Sequence, residues 1–108
     1  MDIQNILRHD DFFAVLQTET KSQTAVMVLE PGKASGKFGN EHPNSEQVVL
    51  VAEGEILAEI GDEKATLRKG DVIIIPRKAT HRLVNHSGSS ATIFSVYAPP
   101  GYAADEAE

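Results

Sequence analysis

Glycine and proline cut this chain into short pieces, a punctuation that favours many short strands over a few long helices. Strand-like stretches fall at residues 12–17, 23–30, 47–52, 55–60, 63–68, 72–75, 81–86 and 91–98. Eight short strands suggest an all-β sandwich or barrel. Ahead of them, Ile3, Ile6 and Leu7 recur at helical spacing and predict one or two helical turns. The 108 residues, 41% of them apolar, suit one domain with a single core, so intrinsic disorder is excluded as the main state.

Between residues 60 and 63 only Gly61 and Asp62 intervene, a Gly-first pair that fits a two-residue type II′ hairpin. Alternation then places Ile56, Ala58 and Ile60 on one strand face, toward the core, and Glu55 and Glu59 on the other. Thr92, Phe94, Val96 and Ala98 likewise form the more apolar face of the last strand. The run Val72-Ile73-Ile74-Ile75 is apolar on both sides, which predicts cover from the core on one side and from another layer or subunit on the other. Residues 30–45 form a long Gly/Pro/Asn-rich loop, and loops of that length in compact domains are often functional. Pro99-Pro100-Gly101 ends the last strand, and an acidic tail follows.

The chain contains no cysteine, which excludes a disulfide scaffold, a thiolate metal site and a cysteine nucleophile, and suits a reducing compartment; the cytoplasm is the expectation. The first residues lack the basic start and apolar run of a leader, and the longest aliphatic run, residues 48–52, falls far short of the roughly 20 that span a bilayer. Neither a membrane nor a nucleic acid is an expected partner, because a net charge of −6 without a basic cluster repels phosphate backbones.

Two stretches carry chemistry. GDVIIIPRKATHRLVN resembles the second motif of the cupin family, G-x5-P-x-G-x2-H-x3-N, with Gly70, Pro76, His81 and Asn85 on the pattern. Lys78 stands where the family usually has glycine, so a residue with a Cβ must make that turn. GNEHPNSEQVVLVAEG resembles the first motif, G-x5-H-x-H-x3,4-E-x6-G, in two competing registers. One starts from Gly36 and makes His42 and Asn44 the histidine positions, but leaves too few residues before Gln47. The other places Asn40 and His42 there, Gln47 at the carboxylate and Gly54 at the closing glycine, with Ala34 at the opening one; its spacing is correct and it is preferred. Strand parity lets only one of Glu46 and Gln47 line an interior; hydrophobicity does not choose, and the motif spacing selects Gln47.

The resemblance implies a single cupin domain over residues 1–108, a jelly-roll β-barrel with its core at about 12–98 and a tail at 99–108. It implies a divalent metal inside the barrel held by Asn40, His42, Gln47 and His81, a set with two imidazoles, two carboxamides and no carboxylate. Such donors suit Zn, Mn, Fe or Ni. The implied activity is binding of a small polar or carboxylated molecule, with metal-dependent isomerase, lyase or oxygenase chemistry; the alternative is a non-catalytic module that binds or senses a sugar-like ligand.

Each residue also has a plainer reading. His81 serves equally as a hydrogen-bonded core histidine, His42 as a loop histidine before Pro43, Gln47 as a strand glutamine paired with a neighbour, and Asn40 as half of a Gly-Asn turn. His9 and His86 read as surface residues, Arg77, Lys78 and Arg82 as scattered surface cations, and Phe38 and Tyr97 as packing residues. Cupins commonly dimerise, so the resemblance implies a homodimer, and the doubly apolar run at 72–75 supplies a physical motive for one.

Overall fold

The computed structural model describes residues 1–36, 39 and 43–102. Strands β1 (Phe13–Thr18), β2 (Gln23–Leu29), β3 (Glu46–Glu53), β4 (Glu55–Ile60), β5 (Glu63–Arg68), β6 (Val72–Ile75), β7 (His81–Val84) and β8 (Ala91–Ala98) follow one short 3-10 turn at Ile6–Arg8. That turn begins where the Asn5 side chain accepts a hydrogen bond from the Leu7 amide, satisfying a donor that has no partner within the turn.

The strands form two antiparallel sheets, one ordered β1-β2-β8-β3-β6 and the other β5-β4-β7. The hairpin predicted at Gly61-Asp62 joins β4 to β5 with Ile60 opposite Glu63, and Gly61 takes a φ of 59°. Among the described residues Lys78 is the only non-glycine with positive φ, at 67°, so the turn where glycine was expected is built in the left-handed region by a lysine.

The inner faces of the sheets meet in a core that includes Leu29, Val49, Val51, Ile56, Leu83 and Ile93. On β4 the inward residues are Ile56, Ala58 and Ile60, as alternation predicts. On β8 the opposite holds: Ala91, Ile93, Ser95 and Tyr97 are buried, while Thr92, Phe94, Val96 and Ala98 lie half-buried on the outer face. Hydropathy favours the wrong side there because the outer face of the five-stranded sheet is itself apolar. On β6, Ile75 is buried, but Val72 and Ile74 stay 60 and 61% exposed, so nothing described in this chain supplies the second cover.

Candidate functional site

One end of the barrel collects its polar interior. Gln47 opens β3 from its second residue, opposite Ile75 of β6 and Tyr97 of β8. Strand parity turns Gln47 inward, where it is buried, and leaves Glu46 exposed. The Gln47 Nε2 group donates to Ser95 Oγ at 3.1 Å, so the lone pairs of the carboxamide remain on Oε1.

His81 opens β7 at the same end, half-buried, opposite Ile60 of β4 and bridged on its other side to Gly39. Its Nδ1 lies 3.0 Å from the Ala79 carbonyl oxygen. A carbonyl only accepts, so Nδ1 is the donor in this contact, and the tautomer that matches it carries its lone pair on Nε2. Histidines that ligate metals are held in this way, with the second ring nitrogen donating to a carbonyl or carboxylate.

The same end is closed on its β1-β2 side by the segment after β8. Gln23, 1% exposed, donates from Nε2 to Thr18 Oγ1 and to the Tyr102 carbonyl, both at 2.9 Å, and its Oε1 accepts from the Gly101 and Tyr102 amides. The Tyr102 ring packs 4.9 Å from Phe13 and 5.3 Å, edge-on, from Tyr97. Ser45 Oγ adds a hydrogen bond to the Pro99 carbonyl at 2.7 Å. Residues 99–102 are therefore a built part of the barrel end. In the sequence Gln23 stands out as the polar member of the inward set Gln23, Ala25, Met27 and Leu29, but nothing there names its partner.

Between the edges of β5 and β6 an apolar cleft of about 120 Å³ opens toward the interior, lined by Ala58, Ile60, Ala65, Leu67 and Ile73 with Glu63 and Lys64 at its rim. Ile60 lines this cleft and also stands opposite His81, so the cleft adjoins the polar end.

Charged groups lie on the outer face of the smaller sheet. Arg82 Nη2 donates to Glu59 Oε1 at 2.9 Å across β7 and β4, which is where Arg82 is engaged. The hydrogen bond from Arg82 is the largest influence on Glu59, and it holds the carboxyl below its ordinary value against the opposing effect of burial. A carboxyl with a lower folded than unfolded pKa contributes stability that is present above the unfolded value and lost as pH falls through the folded one. Wild-type protein should therefore lose this increment below pH 4.5, whereas Glu59→Gln should show a flatter acid limb in urea titrations at stepped pH. An unchanged acid limb in that variant contradicts the assignment.

Of the residues singled out in the sequence, the structure brings Gln47 and His81 to one end, with both side chains inward. Asn40, His42 and Phe38 lie outside the described residues. Asn85, on the second motif, is wholly buried, and its side chain bonds backbone groups. His86, Arg77 and Lys78 are exposed, and Tyr97 is buried against Tyr102. Among the described residues no three histidine or acidic side chains gather closely enough to hold a metal ion. No helix there is long and apolar enough to cross a membrane.

Two stacked antiparallel sheets around an apolar core with one polar end define a small β-barrel of jelly-roll type. A family profile described as "Cupin domain" matches residues 25–97, and the chain belongs to the cupin family. Protein BH2720 of Bacillus halodurans superposes with a TM-score of 0.84 at 25% identity, covering 91% of this chain and 77% of that one. TT1209 of Thermus thermophilus does so with a TM-score of 0.81 at 27% identity, covering 92% and 98%. Among curated sequences, the uncharacterized protein L612 of Acanthamoeba polyphaga mimivirus is 28% identical over 100 residues, which is 89% of this chain and 61% of that protein. The chain spans 61% or less of the length of the curated relatives it matches.

Proposed function

We propose that the barrel end carrying Gln47 and His81 binds a divalent transition metal together with a small polar or carboxylated molecule. The observation that supports this most directly is the contact of His81 Nδ1 with the Ala79 carbonyl, which orients an inward imidazole with Nε2 available as a metal ligand. Gln47 offers a buried carboxamide oxygen, and His42 and Asn40 of the preceding loop would complete the set. The donors fit a borderline ion such as Zn, Mn, Fe or Ni, and they are all neutral, so affinity should fall below that of a set with a carboxylate. A metal bound there would polarise a carbonyl or hydroxyl of the ligand as a Lewis acid, chemistry that serves isomerases, lyases and oxygenases.

The expected result in untagged protein, supplied with each metal and measured by inductively coupled plasma mass spectrometry, is about one ion per chain. His81→Ala should lower occupancy by about tenfold or more, while His86→Ala, an exposed control, should not change it. Equal metal content in the wild type and both variants rules the reading out.

A second reading is favoured by one observation: Gln47 is already hydrogen-bonded to Ser95, and the inward polar side chains described at this end, Gln23, Gln47, Ser95, Tyr97 and His81, include no carboxylate to act as a general base. It makes the protein a non-catalytic binder of a sugar-like molecule. Ligand-induced thermal stabilisation that survives chelation supports this reading, and stabilisation abolished by chelation supports the first.

A further inference from the structure

The apolar cleft between β5 and β6 has a cause in the sequence. On the inward face of the β4-β5 hairpin, Ile56 stands opposite Leu67, and Ala58 stands opposite Ala65. Side chains directly opposite one another share a face, with Cβ atoms about 5 Å apart. Two alanines meet there, so side-chain volume is missing between the Ile56-Leu67 pair and Ile60. That missing volume is the cleft of about 120 Å³, floored by Ala58, Ala65 and Leu67 and walled from β6 by the partly buried Ile73.

Register places its mouth beside the polar end. Ile60 lies two residues beyond Ala58 on β4 and opposite His81 of β7, while exposed Glu63 stands across from it on β5. Between one and one and a half strand spacings, roughly 5–7 Å, separate His81 from that mouth. The floor carries no side-chain donor or acceptor, and water needs two to four polar partners to settle in such a space. An apolar group is the better occupant.

Size narrows the occupant further. An apolar cavity of about 150 Å³ holds benzene, so a cleft of about 120 Å³ takes about five carbons. Whole ligands fill roughly 300–1,000 Å³, which makes this a subsite for part of a molecule. A strand from a partner protein fits poorly, because β5 carries Glu63, Lys64 and Arg68 exposed along its edge, and charged edges resist strand addition.

We propose that the cleft takes the apolar tail of the molecule whose polar head is held at Gln47 and His81. The ligand is then a medium-chain amphiphile: a carboxylate or hydroxyl, a bridge of about four to six bonds over Ile60, and a tail of about five carbons. The head rests on the metal-binding reading of that end, and the tail rests on the alanine pair. A sugar, polar throughout, has nothing to place on this floor.

Saturated carboxylates from hexanoate to dodecanoate test head and tail together. On zinc-loaded protein, calorimetric titration should give a Kd that falls about fourfold per methylene while the tail fills the floor, and levels off at about ten carbons. Ala65→Leu fills the cleft from an exposed position, so it should flatten this series and keep the zinc content of the wild type. Ile73→Val removes one carbon from the wall and should move the plateau about one carbon later.

Pentanol tests the tail without the metal. In metal-free protein it should shift the methyl resonances of Ala58 and Ala65 and leave that of Ala91, at the opposite end of β8 from Tyr97, in place. Absence of the pentanol shifts, or an Ala65→Leu series that matches the wild type, overturns the proposal. Pentanol shifts without a chain-length series on zinc-loaded protein overturn the joining of head to tail. A protein that takes up no metal, yet shows both the pentanol shifts and the series, overturns the metal reading and upholds the tail subsite.

Discussion

Asn85→Ala should cost about 3 kcal/mol of folding stability, a drop of roughly 10–20 °C in Tm for a domain of this size. Asn85 is 0% exposed, just beyond β7, and its side chain spends all its capacity on its surroundings. Nδ2 donates to the Leu29 and Ser89 carbonyls, each at 2.7 Å, and Oδ1 accepts from the Ser87 amide at 2.8 Å and the Ser87 hydroxyl at 2.7 Å. The first bond ties the end of β2 to the end of β7, and the others fold the turn that leads into β8. Truncation strands the buried Leu29 carbonyl, which is costlier than losing a pair outright, and frees the Ser89 carbonyl and Ser87 amide that hold the part-exposed turn. Asn85→Asp should not rescue, because a carboxylate keeps the acceptors but faces two carbonyl oxygens with no donor. Urea titrations of the three proteins test this; a loss under about 1 kcal/mol for alanine, or a stable aspartate variant, contradicts it.

Asn85 also shows what the sequence made legible. Its motif spacing marked it out beside His81, and the structure gives the two residues different work. His81 opens the strand at the polar end, and Asn85 follows its other end as a staple of backbone. Turn chemistry and alternation were sufficient for the strands themselves: four of the eight, β4, β5, β6 and β8, run between the residues that the sequence predicts, and the rest differ by one or two positions at their ends. Alternation fails where both faces are apolar, because parity then has no hydropathic contrast to read. This is the case for β8, whose Phe94 and Val96 outweigh the buried Ser95 and Tyr97, and for β3, where Glu46 and Gln47 precede aliphatic residues on either face. The closure of the barrel end by residues 99–102 was illegible for another reason. It depends on Gln23 meeting Tyr102 across 79 positions of sequence, a contact that only the assembled sheet creates.

The glycine that closes the first motif carries the second large effect. Gly54→Ala should destabilise by about 3–4 kcal/mol, more than conformational strain alone explains. Gly54 joins β3 to β4 with φ of +82°, and a Cβ there would stand 2.7 Å from the Ser90 carbonyl oxygen, 2.9 Å from Ala91 Cα and 3.1 Å from Ala91 Cβ. These neighbours are mostly backbone at the start of β8, pinned by the pairing of Ala91 with Leu29 and of Thr92 with Glu53, so they have no rotamer through which to yield. Gly32 supplies the control. Its φ is +83° but a Cβ there meets nothing within 4 Å, so Gly32→Ala should show only the left-handed strain, about 1 kcal/mol. The difference between the two variants, about 2 kcal/mol, measures the close approach of the β3–β4 turn to β8. If the two alanine variants unfold within about 0.5 kcal/mol of each other, backbone conformation rather than contact is what the motif position requires.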